Sequence, residues 1–134
     1  MKKLLPVLLL AACVGAPKKN YTADEVKQID DLEELMKVQA KNMDPLFKKR
    51  DQAAFTDAEF GSIADAGRMI QATSATARDK FASGHKPSFV TFAGQLNTQA
   101  GDLVTAAEGK DPAKTRQTLV SMKETCAGCH KENR

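Results

Sequence analysis

Residues 88–109, Ser-Phe-Val-Thr-Phe-Ala-Gly-Gln-Leu-Asn-Thr-Gln-Ala-Gly-Asp-Leu-Val-Thr-Ala-Ala-Glu-Gly, carry the cleanest periodicity in the chain. Phe89, Phe92, Ala93, Leu96, Ala100, Leu103 and Ala107 recur at spacings of three and four, which puts them on one face of an α-helix. Ser88 can cap its start and Gly109 stops it. Working outward, Thr56-Asp57-Ala58-Glu59 is a capping box ahead of a second stripe, Phe60, Ile63, Gly67, Ile70, Ser74, Ala77 and Phe81, closed by Gly84-His85-Lys86-Pro87. A similar box, Thr22-Ala23-Asp24-Glu25, opens an earlier stripe: Val26, Ile29, Leu32 or Glu33, Met36, Ala40 and Met43. Asp44-Pro45 interrupts that one. At the other end Asp111 serves as N-cap with Pro112 in the first helical position, and Leu119, Met122, Lys123, Cys126 and His130 mark an inner face.

No stretch reads as a strand. Four amphipathic helices joined by short loops predict an all-α antiparallel up-down-up-down four-helix bundle. That connectivity places the end of the fourth helix, the start of the first and the loop carrying His85 at one end.

Length and composition agree. A chain of 134 residues makes one domain with a real core. Aromatic residues are few, Trp is absent, and helix formers abound. Setting aside Lys2 and Lys3 leaves 18 basic against 17 acidic residues. The lysines are interspersed with carboxylates on helical faces, so nucleic acid is not an expected partner.

The first residues read as an export signal. Met1-Lys2-Lys3 is a positive start, and Leu4 to Leu10 is an apolar run too short to span a bilayer. Leu10-Ala11-Ala12-Cys13 then resembles the bacterial lipobox, in which the cysteine is lipidated and becomes the new N-terminus. The expected organisation is a signal peptide over 1–12, a lipidated tether over 13–20 and the bundle over 21–134. The protein is expected on the periplasmic side of a bacterial membrane, held by its lipid. The alternative is an ordinary secretory signal and a soluble periplasmic protein.

Cys126-Ala127-Gly128-Cys129-His130 carries the chemistry. C-x-x-C-H is the attachment signature of c-type haem: two thiols three residues apart on one helical turn can add to the two porphyrin vinyl groups, and the following histidine presents its imidazole to iron. Ala127 and Gly128 are small, which suits a macrocycle lying close to the backbone. A thioredoxin-type C-x-x-C needs a βαβ setting, a structural zinc needs four ligands, and a plain disulfide leaves His130 unexplained. If Cys13 carries lipid and the other two cysteines carry one covalent haem c, no thiol is left over.

A four-helix chain with C-x-x-C-H near its C-terminus resembles the cytochrome c′ family of class II c-type cytochromes. The likeness covers residues 21 to 134 and extends to Glu34-Leu35-Met36-Lys37 through Lys41-Asn42-Met43, which looks like the first helix of the low-spin members. The resemblance implies an electron-transfer protein, not an enzyme, with His130 as proximal iron ligand and Met36 as sixth ligand. It also implies a redox protein partner and allows a homodimer through the first two helices. High-spin relatives instead keep an open sixth site for nitric oxide or carbon monoxide, the alternative function. Two features depart from the family: the residues between the cysteines are uncharged, leaving Lys123 and Lys131 as the nearest expected charges, and the lipobox implies a tethered form.

Other residues have plainer readings. His85 is a second candidate for the sixth position, in a turn that is ordinarily solvated, and Lys86 beside it could reach a haem propionate. Phe89 and Phe92 are core and can wall a haem pocket. Met43, Met69 and Met122 are core fillers, and Met43 is two turns beyond Met36, about 10 Å at helical rise. No inward-facing pair of carboxylates is expected, so acid–base hydrolysis has no machinery. A haemless helical module on a lipid anchor is the reading that remains if no haem is attached.

The lipobox makes a direct prediction. Cys13→Ser is expected to move the protein from the membrane to the soluble fraction; if both forms fractionate as soluble, the segment is a plain secretory signal.

Overall fold

The computed structural model describes residues 15–134. Cys13 and the signal segment 1–12 lie outside the described residues. Four α-helices form the bundle: α1 Leu32–Phe47, α2 Asp57–Lys80, α3 Pro87–Glu108 and α4 Pro112–Asn133. Each packs on the next in sequence, and α1 touches α4 to close the ring, more lightly than the other pairs touch. Among the described residues there is no strand, and no helix is long and apolar enough to cross a membrane.

The first helix departs from its expected course. The Thr22–Glu25 box forms, with the Thr22 amide donating to Glu25 Oε2 at 2.8 Å and the Glu25 amide to Thr22 Oγ1 at 3.2 Å. It caps only a 3-10 turn, Glu25–Gln28, after which Ile29 is extended at φ −71°, ψ 123°. The chain restarts at Asp31, whose side chain accepts from the Glu33 amide at 3.0 Å. Lys80, in the last turn of α2, holds the linker by donating to the carbonyl of Ile29 at 2.8 Å and pairing with Asp30 at 2.5 Å.

The restart resets the helical phase. The residues of α1 that reach the core are Glu34, Leu35, Val38, Met43, Leu46 and Phe47, so the expected stripe is correct at Val26 and Ile29 before the break and at Met43 after it, and displaced at Met36 and Ala40. Leu35 and Val38 join Val26, Ile29, Ala77, Phe89 and Ala93 in one cluster. Met36 and Ala40 are half-buried on the neighbouring face, turned toward α4. Pro45 does not end the helix. It costs one backbone hydrogen bond, and burial of Leu46 and Phe47 carries the helix to Phe47. Each large side chain so buried is worth about 1.5–3 kcal/mol.

Elsewhere the termini follow the sequence closely. Thr56 and Glu59 cap α2 reciprocally, at 3.1 and 2.8 Å. The third helix starts two residues earlier than expected, with Lys86 as N-cap and Pro87 inside, and Gly84 takes the left-handed φ of +82° that the turn requires. At its far end the left-handed residue is Lys110, φ 51°, one position past Gly109. There the Asp111 amide donates to the Ala106 carbonyl at 3.0 Å, as in a Schellman close. Asp111 caps α4 as expected. Lys123 does not face inward; it is exposed, its ammonium 4.9 Å from the Phe47 ring centre.

A larger core fills the end away from Cys129, with Phe60, Ile63, Ile70, Leu103, Leu119 and Met122 at its centre. Its tightest approach is at Gly67, where an added Cβ would lie 2.8 Å from Val104 Cγ2 and 3.3 Å from the Ala100 carbonyl oxygen. Gly→Ala in an open helix gains about 1 kcal/mol. Here the clash outweighs that gain, since overpacking typically costs about 1–3 kcal/mol. Gly67→Ala is therefore expected to lower the urea midpoint with an unchanged m-value, and an increase would show that the α2–α3 contact yields freely.

Candidate functional site

The light contact between α1 and α4 leaves a cleft with three compartments of about 410, 180 and 40 Å³. Met36 on α1 and His130 on α4 line all three. The largest alone falls within the roughly 300–1,000 Å³ of small-molecule sites. Leu32, Met36 and Phe89 contribute its apolar walls, and His85, Asn133 and Arg134 lie at its polar side.

Cys126, Cys129 and His130 are at i, i+3 and i+4, and therefore share one face of α4. Cys126 lines the two smaller compartments and Cys129 opens into the largest. Both thiols are unpaired and half-buried. They divide the core between them, Cys126 packing against the larger cluster and Cys129 against the cluster of Val26, Leu35 and Phe89. The motif thus sits where the cleft parts the two halves of the interior.

An added Cβ on Gly128 would lie 3.0 Å from Phe92, so the missing side chain also lets α4 approach α3. Ala127 is exposed.

Electrostatics keep the thiols neutral. Burial, reinforced by Cys129, pushes Cys126 up to about 11, and burial followed by Glu132 raises Cys129. A redox C-x-x-C works through a depressed thiolate pKa, so this pair is set apart from thiol–disulfide exchange. His130 is held below its usual value, first by desolvation and then by the Arg134 charge, although the residue as a whole remains open to solvent at the rim. Its imidazole is therefore neutral at pH 7, the form that can bind a metal.

The expected convergence occurs: the end of α4, the start of α1 and the α2–α3 turn meet at the largest compartment. His85 is exposed there and stacked on Phe89, ring centres 4.5 Å apart. Lys86 reaches α4 instead of the cleft, donating to the Glu132 carbonyl at 2.6 Å. Phe92 borders only the smallest compartment. Met43 is buried in the larger core and borders the 180 Å³ compartment, while Met122 is wholly core and Met69 is half-buried. Lys123 and Lys131 line none of the three compartments; Lys37 and Arg134 are the cations that do.

Sequence reasoning missed Leu32, Gln39, Asn133 and Arg134. The first two stand four before and three after Met36, and Asn133 stands four after Cys129, so helical spacing counted from the known site would have found them. It also missed Glu34, 2% exposed, whose Oε1 accepts from the Lys18 amide at 2.6 Å and the Tyr21 hydroxyl at 3.0 Å. The docked chain accordingly begins at Lys18, before the expected boundary at residue 21.

The donor set suits a haem c. Two neutral thiols on one helical turn face a single cleft, a neutral imidazole stands on the same face, the walls are largely apolar, and a thioether lies across the gap. Among the described residues no group of three or more His, Cys, Asp or Glu is arranged to hold a metal ion, which leaves a structural zinc without its ligands. Comparison with protein-family models, curated proteins and solved structures finds no match to this chain.

Proposed function

We propose that this protein is a c-type cytochrome that transfers electrons, with one haem bound covalently through Cys126 and Cys129 and ligated by His130 and Met36. One observation carries the reading: the thioether of Met36 and the imidazole of His130 border every compartment of the cleft into which both motif thiols open. A haem held by Cys126, Cys129, His130 and Met36 would supply a one-electron ferric–ferrous couple, with a potential that methionine and histidine ligation would raise.

The chain's own contribution is confinement. Leu32 and Phe89 give the cleft apolar walls, and a low-polarity wall disfavours the form of higher net charge. The thioether bonds fix the group to α4, so that a protein outside the cytoplasm cannot lose it. Met36 is half-buried and packed beside Leu35 and Phe89, which limits its rotamers and favours a fixed axial contact. Lys37 pairs with Glu33 at 2.8 Å at the cleft edge, leaving Arg134 as the rim cation without a carboxylate partner among the described residues. A lipid on Cys13 would keep the cytochrome at the membrane face, close to a membrane-associated or periplasmic redox partner.

Attachment is expected to need both cysteines. Cys126→Ala or Cys129→Ala, produced in a host with haem-attachment machinery, should lose most of the peroxidase-active band seen after denaturing electrophoresis. An unsubstituted chain that matures at the mass of bare polypeptide rules the proposal out and leaves a haemless helical module.

The ligand set has its own test. Met36→Ala is expected to convert a low-spin visible spectrum to high-spin and open the iron to carbon monoxide. If the unsubstituted protein is already high-spin and binds carbon monoxide, Met36 only packs in the cleft, and the gas-binding function replaces electron transfer.

A further inference from the structure

A metal-bound histidine needs an acceptor for its other ring N–H, because that hydrogen bond sets the tautomer, the ring plane and the basicity of the ligand. Among the described residues the His130 ring forms no such bond in the protein alone. Asn133 is one helical turn further along α4, three residues on, and lines the same 410 Å³ compartment.

The Asn133 amide is anchored on one side only. Its Nδ2 donates to the Cys129 carbonyl at 3.1 Å and to Ser88 Oγ of α3 at 3.3 Å. Reversing the amide would set Oδ1 against the Cys129 carbonyl, oxygen against oxygen, so those contacts fix which atom is left over. That atom is Oδ1, which is buried and has no hydrogen-bond partner among the described residues. A buried acceptor left in this state costs about 1–3 kcal/mol. Neighbours at i and i+3 face one another on a helix, so the nearest ring donor along α4 is His130.

We propose that Asn133 is the positioning residue for His130, its Oδ1 accepting the ring N–H of the imidazole that the haem reading makes an iron ligand. The inference rests on that reading. Asn133 thereby couples three things: the carbonyl of an attachment cysteine, the start of α3 through Ser88, and the plane of the proximal ring. Accepting this proton's hydrogen bond makes the imidazole a stronger donor to iron, which favours the ferric state.

The experiment uses the full chain matured with haem, in three forms: unsubstituted, Asn133→Leu, which keeps the volume and removes the acceptor, and Asn133→Gln, which keeps both the amide donor and the acceptor oxygen. Covalent haem is first confirmed by mass in each. Proton NMR of the reduced protein is expected to show a slowly exchanging His130 ring N–H in the unsubstituted and Gln forms and a fast-exchanging one in the Leu form. Redox titration is expected to shift the Leu form toward ferrous by about tenfold in the equilibrium ratio, ~59 mV for a one-electron couple. If Asn133 only packs, the Leu form keeps both the slow exchange and the potential of the unsubstituted protein. A ring N–H that exchanges rapidly in the unsubstituted protein also overturns the proposal, since Oδ1 is then satisfied by water or Arg134. Failure of the unsubstituted chain to carry haem defeats the haem reading itself, a result distinct from either.

Discussion

The arrangement of this bundle depends on the short linker between the 3-10 turn and α1. Lys80 grips it from the last turn of α2 through the carbonyls of Lys27 and Ile29 and the carboxylate of Asp30, and Asp31 then caps a new helix. A continuous helix from Thr22 would have carried its apolar stripe through Met36 and Ala40 into the core. The break rotates α1 so that Leu35 and Val38 meet α2, and Met36 and Ala40 are left on the face toward α4. Successive residues of a helix are about 100° apart. A phase change of that order separates a methionine that fills a core from one that borders a cleft.

The cleft and the core are two consequences of the same packing. α2 and α3 are held close by small residues, with Gly67 against Val104, and by Asn97 donating to the Gln71 carbonyl at 2.8 Å. Gly128 continues this close approach from α4 onto Phe92. With α2, α3 and α4 drawn together, α1 satisfies its own apolar surface on α2, and the seam with α4 is the one that stays wide. Four of the buried hydroxyls do not oppose this packing, because Ser74, Thr73, Thr76 and Thr118 return their hydrogen bonds to carbonyls of the preceding turn. At the far end Arg116 ties α4 to the α1–α2 loop through the carbonyls of Gln52 and Ala53.

Charge at the site follows from position more than from composition. The chain as a whole is nearly balanced, and the cleft is lined mostly by neutral groups, with Arg134, Asp44 and the Lys37–Glu33 pair at its rim. Burial raises both thiols and lowers the imidazole, so Cys126, Cys129 and His130 are all neutral around pH 7. The lone inward carboxylate, Glu34, faces away from this chemistry and anchors Lys18 and Tyr21, tying the N-terminal segment to the back of α1.

The four-helix architecture was legible in the sequence because it rests on local rules: apolar spacing of three and four, a capping box at Thr56, an N-cap at Asp111, and Pro112 in a first turn. The C-x-x-C-H motif was equally plain, since Cys126, Cys129 and His130 belong to one turn and share a face whatever the rest of the chain does. Reading farther along the same helix from the motif leads to Asn133 for the same reason. The true start of α1 was not legible, because the Thr22 box forms as its residues suggest and only a long-range grip by Lys80 stops the helix it opens. Nor was the role of Gly128, decided by the arrival of Phe92 from α3, or the burial of Glu34, decided by Tyr21 folding back. What lies within one turn of helix was set by the order of the residues, and what lies across the cleft was set by how four helices divide their contacts.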